Sequence, residues 1–177
     1  MTFAAAFAHT VGVEGHYSND PNDPGGETCW GITVAEARAN GYAGDMRDMP
    51  LTVARMIYRA KCWDRLSLDG IDAMSAQIAA ELFDTAVNCG VGEAAMFLQT
   101  ALNAFNRRGA DYADIAVDGG VGEGTLAALK AYLAKRGLFD GVNVLLRALN
   151  SQQGAHYLAI ARSNPKLEDF EFGWGLN

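Results

Sequence analysis

The sequence predicts a mostly α-helical fold, and three observations carry that expectation. Apolar residues recur at three- and four-residue spacing in one segment after another, alternating strand patterns are almost absent, and clusters of Gly, Pro, Asn and Asp separate the helical segments. Roughly six or seven helices are expected, with the loops between them supplying the polar functional groups.

Phe3, Phe7, Thr10 and Val11 share one face of a helix over residues 2–13, until Gly12 and Gly15 loosen the pattern and leave Glu14 at a helix end. Residues 17–26 read YSNDPNDPGG, where proline forbids helix and Asn, Asp and Gly favour turns, so a loop or a small hairpin is expected. Thr33 followed by Glu36 is a capping box, opening a helix that ends near Gly41. After Pro50, the stripe Thr52, Val53, Met56, Ile57 and Ala60 predicts a helix ending near Trp63. Ser75 starts the clearest helix, with Ile78, Ala79, Leu82, Phe83, Ala86 and Val87 on one side, and Gly90 and Gly92 interrupt it. A helix over 93–105, a loop over 109–124 and helices over 125–136 and 142–162 complete the chain.

At 177 residues the chain buries a core but is short for two full-sized domains, so one compact unit is expected. A net charge of -7 argues against a nucleic-acid partner, which needs clustered Lys and Arg; the pairs Arg107-Arg108 and Lys135-Arg136 read as solvated helix ends. No segment approaches the ~20 apolar residues of a spanning helix, so membrane insertion is not expected. The N-terminal residues lack the basic region of a secretory signal, which points to synthesis in the cytoplasm without a signal peptide. Cys29, Cys62 and Cys89 are an odd number without a CxxC pair and read as small buried hydrophobes, with a Cys29 bridge as the alternative in an oxidising compartment.

The densest chemistry lies between Glu14 and Thr28, where carboxylates and a hydroxyl fall between a helix end and a loop. Glycoside hydrolysis needs one carboxylic acid kept protonated for the leaving oxygen, and a second group to hold water or balance the cation-like transition state. A Glu at the end of an apolar helix gains a raised pKa by partial burial, whereas Asp23 in a solvated loop stays ionised. Read without further context, Asp20 and Asp23 belong to turns. A calcium loop from Asp20, Asn22, Asp23 and Glu27 is disfavoured because prolines break the EF-hand spacing; no metal and no cofactor is expected. Residues 119–125, GGVGEGT, lack the Lys of a P-loop and read as a helix entrance. His9 and His156 are isolated.

The run Glu14-Gly15-x-Tyr17, then Asn19-Asp20-Pro21-x-Asp23-Pro24-Gly25-Gly26-x-Thr28-x-x-Gly31-Ile32-Thr33, resembles the opening signature of the glycoside hydrolase family 108 muramidases of phages and bacterial secretion loci. Ala60-Lys61-Cys62-Trp63-Asp64 resembles that family's aromatic-Trp-Asp segment, and Phe83-Asp84-Thr85-Ala86-Val87-Asn88-Cys89-Gly90 its central helix. From Val87 onward the chain is similar to the predicted peptidoglycan-binding region that accompanies the catalytic part, including Val117-Asp118-Gly119-Gly120-Val121-Gly122 and Phe172-Gly173-Trp174.

The resemblance implies a lysozyme-like helical fold with an active-site loop or small hairpin, a catalytic region over 1–86 and a peptidoglycan-binding region over 87–177, packed into one unit. It implies cleavage of the β-1,4 bond between N-acetylmuramic acid and N-acetylglucosamine, with Glu14 as the acid. His16 departs from the family's Glu-Gly-Gly-Tyr run and reads as a solvent-exposed substitution. A second resemblance, to phage-type lysozymes, which order Glu, Asp and Thr along one short stretch, assigns Asp23 to support of water or developing charge and Thr28 to placing the water. Asp20 competes for the second role and, with Tyr17, Trp30 and Asn88, is a candidate substrate contact. The partner implied is the peptidoglycan glycan strand, met by a monomer at the cell wall or periplasm after release or export. The alternatives are a silent peptidoglycan-binding module of a secretion or phage assembly and a lytic transglycosylase.

Overall fold

The computed structural model describes residues 2–12, 17–19 and 26–163, and it is mostly α-helical as expected. Eight α-helices occur among these residues: α1 (Phe3–Thr10), α2 (Val34–Ala39), α3 (Leu51–Tyr58), α4 (Leu68–Asp72), α5 (Ala76–Cys89), α6 (Val91–Phe105), α7 (Glu123–Arg136) and α8 (Leu138–Ser163). Three two-residue strands, β1 (Tyr17–Ser18), β2 (Thr28–Cys29) and β3 (Ile32–Thr33), form an antiparallel sheet in sequence order. They are too short to leave an alternating pattern in the sequence.

Local signals place most helix ends. Thr33 accepts from the Glu36 amide at 3.2 Å and starts α2, and Ser75 accepts from the Ile78 amide at 3.4 Å and starts α5. Gly90 takes φ +97, which ends α5 and lets α6 begin at Val91, two residues before the expected start. Gly137 at φ +77 separates α7 from α8 in the same way, so α8 begins at Leu138 and not at 142. Helix α4 was not expected, because five residues are too few to show a helical period.

Beyond α3 the helix continues as a π-turn over Arg59–Trp63, and the extra residue in the turn brings both Cys62 and Trp63 into the core. Trp63 then joins Phe3, Phe7, Tyr58 and Phe83 in a five-ring cluster with centroid separations from 5.4 Å (Phe3 to Trp63) to 6.4 Å (Tyr58 to Phe83). These rings pin α1 to α3 and α5. The core is continuous from Ala6 in α1 to Leu149 in α8, with α5 at its centre, packed on α1, α4, α6 and α8.

In the second half of the chain the loop before α7 is organised by one buried side chain. Gln99 accepts from the amides of Asp118 and Gly119, both at 3.1 Å, and donates to Asp118 Oδ1 at 2.8 Å and the Gly120 carbonyl at 2.9 Å. The glycine-rich segment is therefore a helix entrance, as expected. These contacts also hold the Asp118 carboxyl below its ordinary pKa, through the Gln99 amide first and the Gly120 amide second. Among the described residues no helix is long and apolar enough to cross a membrane.

Candidate active site

The small sheet is the part of the fold that carries the chemistry-bearing stretch. Helix α1 ends at Thr10, four residues before Glu14, and Gly12 takes φ +86 there. Glu14, His16, Asp20 and Asp23 lie outside the described residues; the described flanks are Gly12 and Tyr17, and Asn19 and Gly26.

The sheet register sorts the remaining candidates. Tyr17 stands opposite Cys29, and Cys29 opposite Ile32; Ser18 stands opposite Thr28, and Thr28 opposite Thr33. Directly opposed residues share a face. One face therefore turns Cys29 and Ile32, both buried, toward the core, and the other carries the hydroxyls of Ser18, Thr28 and Thr33. Thr28 is half-buried on this second face.

On the first face the Tyr17 hydroxyl donates to Glu27 Oε1 at 2.8 Å, and the Arg47 guanidinium lies 5.1 Å from the Tyr17 ring centre. Glu27 and Arg47 were not singled out as partners of Tyr17 in the sequence, where they lie ten and thirty positions away. The structure thus joins Tyr17 to a carboxylate and a guanidinium, and leaves Thr28 on the opposite side of the sheet.

The turn between β2 and β3 consists of Trp30 and Gly31, with φ +56 and +74. Positive φ at both positions matches the twist of a two-residue hairpin, but for Trp30 it is a strained conformation. Three contacts hold it. Trp30 Nε1 donates to the Met49 carbonyl at 3.0 Å, its own carbonyl accepts from the Tyr58 hydroxyl at 3.0 Å, and the ring packs against the core. The polar edge of the indole is thereby engaged with main chain, and what remains for a sugar is the half-exposed ring face.

Tyr58 is buried, and desolvation first, with the Glu36 and Cys62 charges behind it, raises its pKa well above the ordinary phenol value, so its hydroxyl stays protonated and donating. Burial likewise raises the Cys29 thiol, and it pushes Cys62 up to about 11. All three cysteines are free, and Cys29 and Cys62 are buried, in keeping with the small-hydrophobe reading. Asn88 lies exposed near the end of α5, where its amide donates to the Asp84 carbonyl at 3.0 Å and to Asp84 Oδ2 at 3.1 Å. Trp63 is buried and its Nε1 donates to Asp69 Oδ1 at 2.8 Å, so it belongs to the core.

Residues 7–90 match the glycosyl hydrolase 108 family and residues 93–177 the predicted peptidoglycan domain family. Among solved structures the chain is similar to SagA of Brucella abortus, at 27% identity and a TM-score of 0.65, over 97% of this chain and 86% of that one. No curated protein sequence matches it.

Proposed function

We propose that the chain is a peptidoglycan hydrolase, and within that class a muramidase acting through Glu14, because residues 7–90 match the glycosyl hydrolase 108 family and residues 93–177 the predicted peptidoglycan domain family. The bond cut is the β-1,4 link from N-acetylmuramic acid to N-acetylglucosamine. The Glu14 carboxylic acid donates its proton to the glycosidic oxygen, and N-acetylglucosamine departs as an alcohol. Asp23 supplies the carboxylate that balances the charge growing at C1 of muramic acid or takes the proton of the incoming water, and the Thr28 hydroxyl orients that water. The product is a reducing-end muramic acid.

What supports this reading most is that Glu14, Asp23 and Thr28 all fall, in sequence, within residues 7–90, which match the hydrolase family. Tyr17, Asp20, Trp30 and Asn88 complete the reading as substrate contacts. Division of labour falls between a catalytic part over 1–86 and a wall-binding part over 87–177, in a monomer that needs no cofactor and reaches the wall after release or export.

The test is digestion of bacterial sacculi by the protein and by Glu14→Gln, with borohydride reduction and mass spectrometry of the new ends. Reduced muramic acid from the unmutated protein alone is the expected result. Anhydro-muramic ends would move the reaction to the transglycosylases, and no products from either protein would leave a wall-binding module.

A further inference from the structure

We propose that the cleft between the ends of α6 and α7 and the start of α8 binds the carboxylate-bearing peptide stems of peptidoglycan, an inference that rests on the wall being the substrate. The cleft has a volume of about 550 Å³ and is lined by Phe105, Tyr132, Lys135, Arg136, Asp140 and Val144. It uses none of the residues assigned to glycan cleavage.

Its charge departs from that of the chain. Although the protein carries -7 overall, three cations converge beside the cleft on the carboxylate of Asp111, whose side chain is 1% exposed, and two of them, Lys135 and Arg136, line the cleft itself. Arg107 Nε lies 3.2 Å and an Arg136 terminal nitrogen 3.3 Å from Asp111 Oδ2, and Lys135 Nζ lies 3.6 Å from Oδ1. Against these three cations stand two carboxylates, Asp111 and the cleft-lining Asp140, so one positive charge is left over at the cleft edge. The Lys135 side chain is 54% exposed, and Asp111 Oδ1 accepts no hydrogen bond from it, so the ammonium keeps its donors for a ligand. The Asp111 side chain is 1% exposed and positions the cations from behind; it does not reach the ligand itself.

The loop that delivers Arg107 is strained. Arg107, Arg108 and Gly109 take φ +57, +62 and +78 in succession, and two of the three carry side chains that disfavour this region. Buried Asn106 holds the loop in that form, accepting from the Gly109 amide at 3.0 Å and donating to Asp114. Strain of this kind persists where the surroundings enforce it, and it gathers at binding sites.

The other walls complete a fit to a short peptide. Half-buried Phe105 is backed by the buried Tyr132 ring, stacked on it at 5.8 Å with the rings 27° apart, and Val144 is 44% exposed, so Phe105 and Val144 give an apolar surface for small aliphatic side chains. A stem peptide presents such side chains together with free carboxylates for Lys135 and Arg136, and the amine of its diamino acid has an opposite charge in Asp140. A polyanion without amines would meet Asp140 unfavourably.

The experiment is calorimetric titration of the full chain with a soluble muramyl-tripeptide, the same compound with its carboxylates amidated, and inorganic phosphate. The muramyl-tripeptide is expected to bind and its amidated form to bind at least about fivefold more weakly. Lys135→Gln should weaken tripeptide binding by a similar factor, whereas Lys130→Gln, an exposed lysine of the same helix, should not. Equal binding of the two peptides, equal effects of the two substitutions, or phosphate competing as well as the tripeptide would each overturn the proposal. Cleavage of peptide-free glycan strands, assayed in parallel, reports the hydrolase reading separately: loss of that activity with tripeptide binding intact would count against the muramidase and not against this cleft.

Discussion

The Tyr58 hydroxyl donates to the Trp30 carbonyl at 3.0 Å, and the same oxygen stands 3.0 Å from the point where a Cβ on Gly31 would fall. The Tyr58 ring also meets Phe7 edge-on at 5.7 Å, so one side chain fixes both the helix that leads to Glu14 and the hairpin that follows Asp23.

Tyr58→Phe keeps the ring cluster and removes only this strut. Global stability should fall by about 1 kcal/mol, the net value of one such hydrogen bond, in a urea titration. Glycan cleavage should fall further than that loss explains at temperatures where both proteins are fully folded, because the hairpin turn loses its anchor. Equal activity of the two would separate the hairpin position from catalysis.

Gly31→Ala meets two obstacles, the positive φ and the Tyr58 oxygen. A loss of about 1 to 2 kcal/mol is expected from the backbone conformation alone, with more from the contact. Combined with Tyr58→Phe, the contact part should be recovered and the backbone part should remain, a non-additivity read directly from a double-mutant cycle.

Cys62 predicts an alkaline weakness. Its folded pKa is raised from 9.0 to about 11, so the folded state resists thiolate formation more than the unfolded chain does. The stability this represents is fully present below pH 9, shrinks as the unfolded thiol ionises, and is lost by the time the pH passes through the folded value. The loss across this window should be on the order of 2 kcal/mol. Subtracting the pH-stability curve of Cys62→Ala from that of the unmutated protein isolates it from the tyrosines, and parallel curves would contradict the assignment.

Gln99→Leu should be among the more damaging single changes in the second half of the chain. It leaves the Asp118 and Gly119 amides and the Gly120 carbonyl without their partner, for a loss of roughly 3 kcal/mol by thermal or denaturant unfolding. The same variant should return the Asp118 carboxyl toward its ordinary pKa, visible by NMR titration.

What could be read from the sequence was what is local. Thr33 with Glu36, Ser75 with its amphipathic run, and Gly90 after α5 signal their elements within one or two turns, and each appears where expected or within a few residues. The bond from Tyr58 to Trp30 spans 28 positions, and the pairing of Arg47 with Tyr17 spans thirty; no periodicity carries such a pairing. The sheet register is equally silent in sequence, since strands of two residues have no pattern to read. That is why Tyr17 and Thr28, neighbours in one motif, could not be assigned to opposite faces in advance. Arg107-Arg108 read as a solvated helix end, because the left-handed backbone that turns Arg107 onto Asp111 depends on Asn106 and on α7.

The seam between the two matched regions falls at Gly90, yet the apolar core runs straight through it, from α5 into α6 and α8. Leu82, Phe83 and Ala86 of the first region lie in one buried cluster with Leu98, Leu145 and Leu149 of the second, and α5 packs on both α6 and α8. The region matched to the predicted peptidoglycan domain is thus no detachable accessory that could be exchanged like a cassette. It is part of the scaffold on which the first matched region keeps its shape, so cutting the chain at Gly90 should unfold both parts and not release either one intact.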